Sequence, residues 1–119
     1  MNFKRADRVG ELILAEMSDI LLKTVKDPRL RAVTITAVKV TDDLRNARIY
    51  FVEMGKDELN EEVQAGLTRA RGFVRRELGH RLQLRFVPDI VFVHDKSFGY
   101  GNRIEKLLVQ IAKQEEKHD

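Results

Sequence analysis

The sequence predicts an α+β domain in which helices cover one face of a three-stranded sheet. Two observations predict it. Apolar residues recur at helical spacing near the N-terminus, alternate with period two in the middle, and then return to helical spacing. The resulting order is helix, strand, strand, bent helix pair, strand, helix, which buries one sheet face under one helical layer. The chain has 119 residues, of which 43% are hydrophobic, enough for one domain with one core. That single domain is expected to span residues 1–119, with a polar tail from about residue 113.

The first helix is expected from about Arg5 to Val25, with Val9, Leu12, Ile13, Met17, Ile20 and Leu21 on its apolar stripe. Asp27-Pro28 stops it, because the residue before proline is pushed out of the helical region. From Arg31 to Thr41 the period is two. Val33, Ile35 and Ala37 share one face, whereas Val38 and Val40 fall on the other, so the phase slips near Ala37. A β-bulge there, or a strand covered on both faces, would account for it. Residues Asp42 to Asn46 form a turn, and Ala47, Ile49 and Phe51 then alternate with Arg48, Tyr50 and Val52. The two strands pair as a hairpin that ends at Gly55-Lys56-Asp57.

Asn60 is placed to cap a helix, with Glu61 and Glu62 in its positive first turn. Val63, Gly66, Leu67, Ala70, Val74 and Leu78 form its stripe, and Gly79 is a reasonable stop. Pro88 opens a third strand, Ile90 to His94. Ser97 to Gly101 is a loop, and Asn102 caps a last helix carrying Ile104, Leu107, Leu108 and Ile111.

The stretch from Val63 to Pro88 also holds most of the functional signal. Arg69, Arg71, Arg75, Arg76, Arg81 and Arg85 stand against Glu77 alone, a local balance of +5. The whole chain is only +3, so the basic character is local, as at a polyanion-binding surface. On one straight helix Arg69 and Arg76 flank one edge of the stripe and Arg71 and Arg75 the other. A kink at Ala70-Arg71-Gly72 would gather them around an elbow, so Ala70 and Gly72 are the expected kink residues. The plainer alternative is a solvated helix whose arginine stems cover apolar edges. Tyr50 is a further candidate for base stacking, and Lys4, Arg5 and Arg8 form the next basic surface to consider.

Other chemistry finds little support. The chain has no cysteine, which excludes disulfides, thiolate zinc sites and a cysteine nucleophile. His80, His94 and His118 lack metal-ligand spacing, so no metal or other cofactor is expected. Asp42, Asp43, Asp89 and Asp95 fall at turn and cap positions, which explains them better than acid–base catalysis does. Gly99-Tyr100-Gly101 lacks the strand, lysine and spacing of a phosphate loop. Charges interrupt the N-terminus, and no apolar run approaches the about 20 residues of a membrane span.

Taken in order, several segments resemble the bacterial ribosome-binding factor A family, whose fold is type II KH-like. They are Lys26-Asp27-Pro28-Arg29-Leu30, Val38 to Leu44, Ala47 to Val52, Ala70-Arg71-Gly72-Phe73-Val74-Arg75, Glu77-Leu78-Gly79, then Leu82, Leu84, Arg85, Val87 and Pro88, and the segment from Ser97 to Leu108. Ordinary KH domains hold single strands with a GxxG loop; this sequence has none, and Ala70-Arg71-Gly72 fits the kink the family has instead. The resemblance implies a non-enzymatic, monomeric, cytoplasmic assembly factor. It would bind the free or immature small (30S) ribosomal subunit and its 16S rRNA. It would assist late maturation, including processing of the 16S rRNA 5′ end, notably in the cold. The alternative is a general single-stranded RNA or DNA binder with no preference for ribosomes.

Overall fold

The computed structural model describes residues 5–97 and residue 111. The expected last helix and its Asn102 cap, the loop at Gly99-Tyr100-Gly101, Lys4, His118 and the tail lie outside the described residues.

Helix α1 spans Arg5–Asp19 and continues as a wider π-helical turn, Ile20–Thr24. That turn is closed by the Val25 N–H donating to the Ile20 carbonyl at 3.1 Å. The chain then stops where Asp27-Pro28 requires it to. Asp27 is extended, with φ −107° and ψ 113°, and its carboxylate accepts from the Arg29 N–H. A short 3-10 turn, Pro28–Leu30, follows.

Strand β1, Val33–Val40, pairs antiparallel with β2, Asn46–Glu53, and the register slips between Ile35 and Ala37. The extra residue is Thr36, so the phase change in the sequence is a bulge. The turn between the strands is locked by short polar side chains. The Thr41 hydroxyl donates to Asp43 Oδ1 at 2.6 Å, and the same oxygen accepts from the Arg45 N–H at 3.0 Å. Leu44 takes the left-handed conformation, φ 62°, that closes the turn.

Strand β3, Asp89–His94, lies parallel to β2, giving the order β1-β2-β3 with β2 in the centre. A parallel partner requires a crossover element, and helix α2, Glu61–Leu82, is that element. The parallel pair begins where the Asp89 N–H donates to the Arg45 carbonyl and ends where Asp95 donates to Phe51, both at 2.8 Å. The core lies between one sheet face and the helices. Ile13, Met17 and Ile20 meet Ala47, Ile49 and Phe51 of the central strand, with Val63, Leu67, Val74 and Leu78 of α2. This is the expected α+β, type II KH-like arrangement.

Two expectations about α2 are corrected. The expected helix pair is one helix, continuous from Glu61 to Leu82 with no break at Ala70-Arg71-Gly72. At roughly 100° per residue, Val63, Leu67, Ala70, Val74 and Leu78 stay within one narrow stripe across Gly72, so packing never asks for a new phase. A lone glycine costs about 1 kcal/mol, too little to break a helix anchored on both sides. The second correction concerns the stop. Gly79 lies inside the helix, which ends at Gln83 in the left-handed conformation, φ 51°. Gly79 serves packing, since a Cβ there would stand 2.8 Å from Val87 Cγ2.

Candidate nucleic-acid interface

Because α2 is unbroken, its arginines point in several directions. Arg71 and Arg75 lie on the side facing β3, as does Gln64, whose Nε2 donates to the Phe92 carbonyl at 3.0 Å. Arg69 and Arg76 lie at least about 100° further round the helix. Arg81 is in phase with the apolar stripe and therefore faces α1.

Two of these arginines are engaged in holding the fold. Arg75 donates from Nη2 to the Val87 carbonyl at 2.9 Å and from Nε to the Pro88 carbonyl at 3.2 Å, pinning the approach to β3. Asp89 Oδ1 stands 3.5 Å from the same Nε. Arg81 Nη1 donates to Asp19 Oδ2 at 2.6 Å and Glu16 Oε2 at 3.1 Å, and its Nε lies 3.5 Å from Glu77 Oε1. The Arg81 hydrogen bond, with help from Lys23, holds the Asp19 carboxyl below the usual range. The acids in turn raise the Arg81 pKa.

The others are open to solvent. Arg71 and Arg76 are exposed and make no hydrogen bond or ion pair among the described residues. Arg69 is exposed near Asp27, whose carboxyl is lowered chiefly by its hydrogen bond from Arg29, with a smaller contribution from Arg69. Arg85 lies beyond the helix, its guanidinium over the Phe86 ring at 5.5 Å.

The fold brings these side chains beside basic residues from elsewhere, forming two open clefts. In one, Arg71 joins Lys39 and Arg48 from the sheet, with Val91 also lining it. Lys39 Nζ sits over the Tyr50 ring at 5.8 Å, so Tyr50 already carries a cation. In the other, Arg75 and Arg85 meet Arg5 from the start of α1 and Arg45 from the β1–β2 turn. Phe86, 78% exposed, stands at its edge. Arg45, Lys39, Arg48 and Phe86 were not picked out by sequence reasoning. Each is an isolated residue, and only the strand register and the parallel β2–β3 pairing bring them to the arginines of α2.

Three other titratable candidates, His94, Asp95 and Asp43, have structural partners. His94 packs edge-on against Phe51, with centroids 5.8 Å apart. Asp95 accepts from the Thr36 hydroxyl at 2.5 Å and caps Ser97. Asp43 is lowered first by the Thr41 hydroxyl. No His, Asp and Glu cluster suited to a metal occurs among the described residues. None of the described helices is long and apolar enough to cross a membrane.

Known proteins resemble this chain in sequence and in fold. A family model described as Ribosome-binding factor A matches residues 5–108. The protein of that name from Syntrophus aciditrophicus (strain SB) is 55% identical over 114 residues, covering 96% of this chain and 93% of its own. The crystal structure of ribosome-binding factor A from Thermus thermophilus superposes with a TM-score of 0.58 at 21% identity, covering 78% of this chain and 97% of that one. A homology model of the Thermus factor, fitted into a cryo-EM map of a 30S complex, superposes with a TM-score of 0.57, again at 21% identity, covering 76% and 90%. At that identity the two structures speak for the fold alone.

Proposed function

Because this chain belongs to the ribosome-binding factor A family, we propose that it binds the free or immature 30S subunit through its 16S rRNA. There it assists late maturation, including processing of the 16S rRNA 5′ end, with its strongest requirement at low temperature. It acts as a cytoplasmic monomer, by binding rather than by catalysis. The observation that carries this reading is 55% identity to a named member across 96% of the chain. The family name shared at 55% identity points to a ribosomal partner, and the 30S complex named for the Thermus protein is in keeping with it.

The surface chemistry supports the same reading. Exposed Arg69, Arg71, Arg76 and Arg85 present fixed positive charge, and phosphate contacts of this kind supply affinity without reading sequence. The sequence has no GxxG loop, so recognition of folded RNA through backbone and shape fits better than grasping four unstacked bases.

Co-sedimentation through a sucrose gradient tests the reading. With both ribosomal subunits present, the protein should travel with the small one, and more of it with immature particles. Equal loading of the large subunit would contradict the proposal. So would equal affinity for naked DNA of any sequence, the signature of a general single-strand binder.

A further inference from the structure

We propose that the cleft between Arg45, Arg75, Arg85 and Phe86 is a subsite for one unpaired nucleotide of RNA, with its base stacked on Phe86 and its phosphate on Arg45 and Arg75. This rests on the RNA-binding reading above and adds to it a ligand geometry and a place.

Phe86 is the starting observation. It is 78% exposed, the most exposed large apolar side chain among the described residues. Its neighbours do not leave it loose. The segment that carries it is pinned just beyond by Arg75, through the carbonyls of Val87 and Pro88. Val87 packs against the core, and Pro88 is fully buried. The Arg85 guanidinium lies over the ring at 5.5 Å, so the ring carries a cation while most of its surface stays exposed. A cation-backed aromatic face on a rigid stem suits a nucleobase, which stacks by its π-face whatever its identity.

Further cations line the same cleft. Arg75 is held by its two carbonyl bonds with its side chain still 46% exposed. Arg45 is fixed at its backbone, since its N–H donates to Asp43 and its carbonyl accepts from Asp89. Its side chain is exposed in the same cleft, where Arg5 also lies. Asp43 and Asp89 belong to the cleft as well, so four arginines face two carboxylates and the net charge stays positive. A double-stranded segment could use these cations but not the ring, because its bases are already stacked.

The chain contains no tryptophan, so Phe86→Trp places a single stacking reporter in the cleft. A short unpaired RNA should quench its emission, and a duplex RNA of equal phosphate number should not. Phe86→Ala should weaken binding of the unpaired RNA between about fivefold and a hundredfold, the range of one base stack. Phe86→Tyr should bind like the wild type. If the Trp variant co-sediments with small subunits and binds the unpaired RNA without quenching, the subsite is wrong while the ribosomal reading stands. If the wild type ignores small subunits, the ribosomal reading fails, and quenching by the unpaired RNA still decides the subsite. Equal loss of unpaired and duplex binding in Phe86→Ala would also overturn it, since that marks a fold defect or a purely electrostatic site.

Discussion

Arg81 and Asp19 meet at 2.6 Å between the end of α2 and the end of α1, although they are 62 residues apart in sequence. With Glu16 and Glu77 also on the guanidinium, Arg81 ties the two helices together. Its position in phase with the apolar stripe explains the direction. Arg81→Ala should therefore lower the melting temperature and leave the salt dependence of RNA binding unchanged. Thermal melts and a salt titration together check this. A drop of about one unit in the salt slope, with an unchanged melt, would make Arg81 a phosphate contact instead.

The same contact has a pH signature. Asp19, Asp27 and Asp43 all titrate below their ordinary value of 3.8 in the folded chain. A carboxylate with a depressed folded pKa stabilises the fold fully above its unfolded pKa, and loses that contribution as pH falls through the folded one. Stability should thus be flat with respect to these groups near neutrality and fall once the pH drops below about 4. Denaturant melts of wild type and Arg81→Ala should converge in that acid range, as Asp19 becomes protonated in both. A gap that stays constant down to about pH 2 would exclude Asp19 as the relevant partner.

Two glycines of α2 should respond to alanine with opposite signs. At Gly72 a Cβ meets nothing within 4 Å, so Gly72→Ala should stabilise by up to about 1 kcal/mol. At Gly79 the Cβ would press on Val87 Cγ2 at 2.8 Å. Valine is stiff about χ1, and overpacking of this kind costs about 1–3 kcal/mol. Gly79→Ala should destabilise, and Val87→Ala in the same chain should restore part of the loss. Denaturant titration of the three variants reads both signs, and destabilisation by Gly72→Ala would mean that α2 is bent there.

Charge reversal tests the arginines that have no structural partner. Arg75→Glu would cut its bonds to Val87 and Pro88 and confuse binding with folding. Arg71→Glu with Arg76→Glu avoids this, because both side chains are exposed and unpaired among the described residues. The double variant should keep a native circular dichroism spectrum and melt within about 0.5 kcal/mol of wild type. Its small-subunit binding should weaken broadly, with each lost phosphate contact lowering the salt slope by about 0.7 to 0.9. Unchanged affinity and slope would leave these two as a solvated face.

Features set by neighbours in sequence were legible before the structure. The Asp27-Pro28 stop, the Asn60 cap and the slip near Ala37 each depend on a few adjacent residues. The core stripe of α2 was legible for the same reason. What escaped depends on partners far along the chain. Gly79 looks like a helix stop until Val87 is seen against it. Arg75 looks free until the carbonyls of Val87 and Pro88 fold back on it. Arg45 is a turn residue whose proximity to α2 follows only from the parallel pairing of β2 with β3. The phase of Arg81 did signal its inward direction, and charge alone hid it.

The central claim is selective binding to the small subunit, and equilibrium titration of labelled protein against purified subunits tests it most directly. Binding to the small subunit should saturate and weaken linearly in log–log form with salt, and binding to the large subunit should be far weaker at every salt concentration. Equal affinities for the two subunits with parallel salt slopes would contradict it.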